Sequence, residues 1–168
     1  MADLDAIAQA ERTRDPVDVV KAFLSNSGKE DVANAASRLV KEDATYVSLN
    51  FENPELRQIE PWAGTRVGRQ IYVDTFSHVG TYWRIDDFQI NEIFGAGDKV
   101  AVFGRFTYTS VAVGNTFTSP FSVLAKVEEG QIVYFQFMED TYASAKSFRV
   151  SGQWTIQSTV DSELFQVG

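Results

Sequence analysis

Two adjacent acids, Glu139 and Asp140, are the residues whose type and position best suit chemistry. They end an apolar segment, residues 131–138, that follows a Glu-Gly turn signal. A carboxyl group at the inner end of a buried strand loses water, which raises its pKa and suits it to proton transfer near neutral pH. Strand alternation places Asp140 on the face of Met138 and Glu139 on the opposite face, unless a bulge intervenes. We predict Asp140 to be the candidate catalytic residue.

A structural role is also open to Asp140. The stretch that follows it, residues 141–148, has the pattern of a short helix, and Asp is a favoured residue at helix N-caps. Capping and proton transfer do not exclude one another. The sequence therefore leaves both roles in place for this acid.

The composition excludes several classes of site. A net charge of −8 without a cluster of basic residues disfavours nucleic-acid binding. The absence of Cys excludes disulfides, thiolate catalysis and Cys-ligated metals. A single histidine, His78, makes a metal site or a Ser-His-Asp triad a poor fit. We therefore predict no metal and no cofactor. The 13 Phe, 6 Tyr and 3 Trp exceed what a core needs, so part of them could line a cavity.

The chain length of 168 residues is typical of one domain. Residues 1–14 are polar and rich in Ala, which predicts a frayed helix or a flexible tail before a single domain at residues 15–168. The N-terminus lacks the pattern of a signal peptide, and no apolar run has membrane-spanning length. We expect no membrane association and a cytoplasmic location.

The N-terminal half reads mainly as helix. Asp15-Pro16 is a helix start signal, and the pattern predicts two further helices over residues 29–39 and 68–79. A strand is predicted at residues 43–51 and a loop at residues 52–65, which contain two prolines.

The C-terminal half reads as an antiparallel meander. Long apolar and β-branched runs alternate with tight turns that contain Gly. The predicted strands are residues 84–94, 100–113, 117–128 and a last one from 131. Helices followed by a meander give an α+β fold. We predict a curved antiparallel sheet with three helices packed on its concave face, which leaves a cone-shaped pocket.

Three motifs in this order carry a resemblance to a known family. They are the entry into the first strand (residues 41–45), the loop into the third helix (62–69) and the last hairpin (129–132). Residues 15–148 resemble the nuclear-transport-factor-2-like (NTF2-like) superfamily, and within it the SnoaL-like polyketide cyclases and ketosteroid-isomerase-like proteins. The resemblance implies a pocket for a small hydrophobic molecule and a homodimer formed through the outer sheet face. In SnoaL-like cyclases an acid at the end of the last strand serves an intramolecular aldol closure, and Asp140 has that position.

The chain departs from the ketosteroid isomerases at each of their functional positions. Residues 46–49 of the first strand contain no acid, and Phe23 and Leu24 occupy the place of the first-helix tyrosine. Residues 117–127 of the third meander strand contain no carboxylate. An oxyanion hole needs donors aimed at the developing charge. Steroid isomerisation by that family's mechanism is therefore not expected.

Aromatic and apolar side chains are predicted to line the pocket. Tyr108 is the best candidate because it shares strand parity with Val100, Val102 and Phe106, and Tyr46 comes next. Packing in the core is the alternative for most of them. The predicted ligand-binding residues are Tyr46, Trp62, Tyr72, Phe76, Tyr108, Phe121, Tyr134 and Met138.

The last strand also raises the question of its second face. Val133, Phe135 and Phe137 are predicted to lie on the outer side, where a second copy of the chain would cover them.

Three functions are compatible with these patterns. They are proton-transfer chemistry on a carbonyl-bearing molecule, non-catalytic binding of a small apolar ligand, and a dimerisation domain whose cone is filled.

Overall fold

A six-stranded sheet is the frame of the computed structural model, which describes residues 3–168. The described helices are α1 (Leu4–Thr13), α2 (Pro16–Ser25), α3 (Val32–Leu39), α4 (Pro54–Ile59), α5 (Arg69–Tyr82) and α6 (Thr141–Lys146). The described strands are β1 (Val40–Ser48), β2 (Gly64–Val67), β3 (Trp83–Ala96), β4 (Lys99–Ser110), β5 (Thr116–Glu128), β6 (Gln131–Glu139), β7 (Trp154–Ile156) and β8 (Phe165–Val167).

The strand order is β2-β1-β6-β5-β4-β3. All neighbours are antiparallel except β1 and β6, which run parallel. Register shifts between Ile85 and Asp87, and between Ile90 and Glu92, interrupt the β3–β4 pairing, and bulges of this kind increase twist and curl. Helices α2, α3 and α5 pack on the concave face. The predicted α+β fold, a curved sheet with three helices on one face, is confirmed.

Helix α2 forms where its start signal predicts. Asp15 accepts hydrogen bonds from the amides of Val17 and Asp18, and Pro16 occupies the first turn. Val20 and Phe23 on its inner stripe are fully buried. The cap and the apolar stripe therefore orient this helix towards the sheet.

The N-terminal segment is a packed helix, which differs from the predicted frayed helix or flexible tail. Leu4–Thr13 form helix α1, in which Ile7 and Ala10 are fully buried. Arg38 of α3 forms an ion pair with Glu11 of α1. Packing of one narrow apolar stripe on α2 and α3 stabilises this helix, and propensity alone gives little sign of it. Residues 1 and 2 lie outside the described part of the chain.

The segment predicted as a loop, residues 52–65, contains regular structure. Asn53 caps α4 by accepting from the amides of Glu55 and Leu56, with Pro54 at the first helical position. Proline is favoured at the first position of a helix, so Pro54 marks the start of α4 and not a loop. Strand β2 then pairs with β1. Glu60 and Trp62 lie in the turn between these two elements.

A bulge in β6 decides which side chains face the helices. The β5–β6 register shifts between Lys126 and Val127, which leaves Val133 as the extra residue between Ile132 and Tyr134. Because side chains alternate with a period of two, one extra residue moves every later side chain to the other face. Phe135 is therefore buried against Phe23 of α2, with ring centroids 5.7 Å apart.

This bulge corrects the predicted outer face. Phe135 and Phe137 are buried in their own chain, so they need no second copy to cover them. The C-terminal strands β7 and β8 form a separate two-stranded sheet, whose Trp154 contacts Tyr142 at 5.3 Å between centroids. Within residues 3–168, no helix is both long and apolar enough to cross a membrane.

Candidate functional site

A cavity of about 190 Å³ lies between the concave face of the sheet and helices α2 and α5. Most of its wall is apolar or aromatic, with side chains that include Leu49, Trp62, Phe76, Trp83, Phe88 and Phe137. Its polar groups come from Ser27, Tyr46, Ser48, Thr75, Tyr108 and Glu139. Apolar walls with a few converging polar groups are typical of a small-molecule site.

Glu139 is the only acidic or basic side chain in the described wall of this cavity. Its residue is half-buried, yet its Oε1 atom is enclosed and lacks a hydrogen-bond partner. Burial raises the pKa of Glu139 to about 8, and the negative charge of Glu60 adds to the rise. At pH 7 the group is therefore mainly a neutral carboxylic acid, which can donate a proton.

Glu60 is a second carboxyl group that is hidden from solvent. Its relative exposure is 0%, and neither of its oxygens has a hydrogen-bond partner. Burial raises its pKa to about 7, and the hydroxyl of Ser144 opposes this rise. The same hydroxyl opposes the rise at Glu139. Glu60 does not line the cavity, although Trp62, two residues further along the chain, does.

Two phenols accompany Glu139 in the wall. Burial raises the pKa of both Tyr46 and Tyr108, and the charge of Glu139 adds to the rise at each of them. Both phenols are therefore hydrogen-bond donors throughout the neutral range. Their rings are fixed by stacking, Tyr46 on Phe135 at 5.6 Å and Tyr108 on Phe106 at 4.2 Å.

Four of the predicted ligand-binding residues line the cavity. They are Tyr46, Trp62, Phe76 and Tyr108. The Trp62 ring packs edge-on against Trp83 at 5.2 Å, and the indole Nε1 of Trp83 donates to Ser147 at 2.9 Å. These contacts hold one aromatic wall in place.

The other four predicted ligand-binding residues lie elsewhere. Tyr72 is fully buried in the core and donates its hydroxyl to the carbonyl of Thr45 at 2.7 Å. Phe121 is buried over Gly104, where a Cβ atom would lie 2.5 Å from its ring. After the bulge, Tyr134 and Met138 alternate with the buried Phe135 and so occupy the opposite face.

Asp140 does not face the cavity. It is exposed, and its Oδ1 accepts a hydrogen bond from the amide of Ala143 at 3.1 Å as the N-cap of α6. The capping role is confirmed, whereas the expectation that this acid faces the hollow is wrong. The bulge at Val133 is the reason, because it turns Glu139 inward in place of Asp140.

The two buried acids differ in how visible they are in the sequence. Glu139 continues the alternation of Phe135 and Phe137. The sequence pattern together with the position of the β6 bulge would therefore have predicted that Glu139 faces inward. Glu60 stands between Ile59 and Pro61-Trp62 in a segment whose prolines predict a loop, and no local pattern there indicates that Glu60 is buried.

Other polar residues give no sign of a metal site. No group of three or more His, Cys, Asp or Glu in the described ranges could hold a metal ion. His78 is exposed and stacks on Trp62 with centroids 6.3 Å apart.

Comparison with known proteins gives a family and a fold. Residues 20–135 match the family described as SnoaL-like domain. Patulin synthesis protein F of Aspergillus clavatus is 45% identical over 138 residues, which cover 80% of this chain and 69% of that protein.

Solved structures match over a similar span. An NTF2-like protein of Burkholderia thailandensis has a TM-score of 0.66 at 23% identity, covering 80% of this chain and 97% of that one. TerC, co-crystallized with polyporic acid, has a TM-score of 0.64 at 23% identity, covering 79% and 97%. At this identity the structural matches show the fold alone.

Proposed function

Because the chain belongs to the SnoaL-like domain family and has the NTF2-like fold, we propose that it performs proton-transfer chemistry on a small carbonyl-bearing molecule. A fold of this kind does not determine a reaction. The observation that carries the proposal is a carboxyl group in its acid form, Glu139, facing an aromatic cavity beside two neutral phenols.

Each polar group has a role in this proposal. Tyr46 and Tyr108 donate hydrogen bonds to the carbonyl oxygen of the substrate, where negative charge develops. Glu139 gives its proton to that oxygen, and its carboxylate then accepts the proton that the adjacent carbon loses. The net change is from ketone to enol, and the carboxyl group is restored. The enol is the reactive species for isomerisation or ring closure.

The size of the cavity limits the substrate. A protein cavity of about 150 Å³ lined by apolar side chains accepts benzene. The cavity of about 190 Å³ found here therefore fits a molecule with a single ring and small substituents. Its aromatic wall favours an apolar or unsaturated ring.

The relatives support a biosynthetic setting for this reaction. The name of the 45% identical fungal protein assigns that protein to patulin synthesis. The complex of TerC with polyporic acid supports binding of small organic molecules by this fold. The substrate of the present chain is inferred only as a chemical class.

Ligand binding without chemistry is the second candidate. The predominantly apolar wall supports it, because a neutral Glu139 could serve only as a hydrogen-bond donor to a bound oxygen. In that case the protein binds one-ring ketones but does not exchange their protons.

A homodimer remains our proposal for the assembly. Phe103 and Phe94 stack on one another at 6.2 Å and are exposed by 48% and 56%. Both alternate with inward-facing residues and so belong to the outer sheet face. A second copy would remove this apolar surface from water.

Hydrogen exchange of a simple ketone tests the reaction. In D₂O, ¹H NMR follows the loss of α-protons from 2-cyclohexenone with the wild type, Glu139→Gln and Asp140→Asn. We expect catalysed exchange in the wild type, a loss of roughly 100-fold or more in Glu139→Gln, and little change in Asp140→Asn, which keeps a capping side chain. Equal rates in the wild type and Glu139→Gln would remove Glu139 from the mechanism.

A further inference from the structure

Glu60 is a buried carboxyl group that has no role in the proposed reaction. Its exposure is 0%, and both of its oxygens lack a hydrogen-bond partner. Burying an unpaired acid is costly, so such a group in a stable fold calls for a reason. Its backbone is well held, since the amide of Ala63 donates to its carbonyl at 2.9 Å.

The position of Glu60 links it to the cavity. Glu139 faces the cavity, the charge of Glu60 acts on Glu139, and Glu60 stands two residues before the cavity residue Trp62. Ser144 of α6 is fully buried and influences both carboxyl groups, although its own hydrogen bond goes to the carbonyl of Thr141 at 3.3 Å. Glu60 in the turn after α4, Ser144 of α6 and Glu139 of β6 are thus neighbours in one enclosed place.

No cation balances the two acids among residues 3–168. Arg57 and Arg66 donate to the backbone carbonyls of Ala63 and Pro61. The groups that act on Glu139 besides Glu60 and Ser144 are acids or phenols. Lys146 of α6 donates to the carbonyl of Gly168 at 3.4 Å. The other titratable and charged groups on the elements that carry or adjoin the two acids include Glu55, Arg57, Arg66, Tyr46, His78, Tyr108, Tyr134, Asp140 and Tyr142. Two neighbouring carboxyl groups without a cation cannot both ionise easily.

We propose that Glu60 is a positioning residue that forms with Glu139 an electrostatically coupled carboxyl pair beside the hydroxyl of Ser144, in which the two groups do not both ionise at neutral pH. This proposal rests on the proposed function of Glu139. The pair keeps the cavity-facing carboxyl in its acid form at neutral pH.

The pair has a signature that needs no substrate. In coupled carboxyl groups the protons leave in two steps, and each step belongs to the pair. In full-length protein with ¹³C-labelled glutamate side chains, NMR follows the carboxyl carbons against pH. We expect Glu60→Gln to lower the midpoint of Glu139 by roughly one pH unit, because the repulsion is lost. Glu55→Gln, which removes an exposed acid from helix α4 just before Glu60, should leave that midpoint unchanged.

A second variant protects the test against misfolding. Ser144→Ala keeps both acids and should raise both midpoints, because the hydroxyl lowers the pKa of each. An unchanged Glu139 midpoint in Glu60→Gln overturns the proposal. If circular dichroism shows that this variant is unfolded, unchanged midpoints in Ser144→Ala overturn it instead.

The two proposals fail separately. If exchange of 2-cyclohexenone survives in Glu139→Gln while the Glu139 midpoint falls in Glu60→Gln, the pair stands and the proposed reaction does not. If Glu139→Gln abolishes exchange and the Glu139 midpoint is the same in Glu60→Gln as in the wild type, the proposed reaction stands and the pair does not. If both proposals hold, the pH profile of exchange in Glu60→Gln moves to lower pH by roughly one unit.

Discussion

Replacing Glu60 by Gln should flatten the dependence of stability on pH. The pKa of Glu60 rises on folding from an ordinary 4.5 to about 7 because of burial. The folded state therefore binds the proton more tightly than the unfolded state, so the stabilisation is complete below pH 4.5 and is lost as the pH rises through 7. At about 1.4 kcal/mol per pKa unit, this single group costs about 3 kcal/mol of the free energy of unfolding at alkaline pH.

Urea unfolding at pH 5 and pH 9 measures this effect. Between these pH values the wild type should lose roughly 3–4 kcal/mol more than Glu60→Gln. About 2–3 kcal/mol come from Glu60 itself, since part of its change has already occurred at pH 5, and about 1 kcal/mol comes from the lower pKa of Glu139 in the variant. The carboxyl groups whose pKa is lowered, Glu11 and Asp86, titrate below this range and contribute equally to both proteins. Glu55→Gln serves as the control and should follow the wild type. The same pH dependence in wild type and Glu60→Gln would refute the idea that Glu60 is buried and unpaired.

Three further results are expected. Catalysed exchange should fall as the pH rises through about 8, since Glu139 acts in its acid form. An exchange rate that rises with pH in this range would instead show that Glu139 starts the reaction as a carboxylate base. Asp15→Ala should lower the free energy of unfolding by about 1 kcal/mol in urea denaturation, because it removes the cap of α2, and an unchanged stability would count against that cap. Light scattering at micromolar concentration should give a dimer that Phe103→Glu converts to monomer; a monomeric wild type would contradict the proposed assembly.

The order of the elements could be read from the sequence because strong local signals mark them. Asp15-Pro16 starts α2, and the Gly-containing turn at Glu129-Gly130 joins the last two long strands. Helix α1 escaped the prediction because its stability comes from contacts of Ile7 and Ala10 with other helices. Such tertiary packing has no counterpart in local propensity.

The site could be predicted only to within one residue. An acid at the end of the last strand does face the cavity, but the bulge at Val133 turns Glu139 inward and leaves Asp140 as a cap. A bulge depends on the pairing with β5, and a single strand's pattern does not reveal it. Glu60 was beyond prediction because its burial comes from tertiary contacts, which the local sequence does not mark.

The infrared carbonyl band of bound 2-cyclohexenone, labelled with ¹³C at the carbonyl, tests most directly whether a neutral Glu139 donates to the ligand in the cavity. We predict a band at lower frequency than in an apolar solvent at pH 6, which shifts back towards higher frequency in Glu139→Gln and in the wild type at a pH well above 8. A band that is the same in wild type and Glu139→Gln across this pH range would contradict the account.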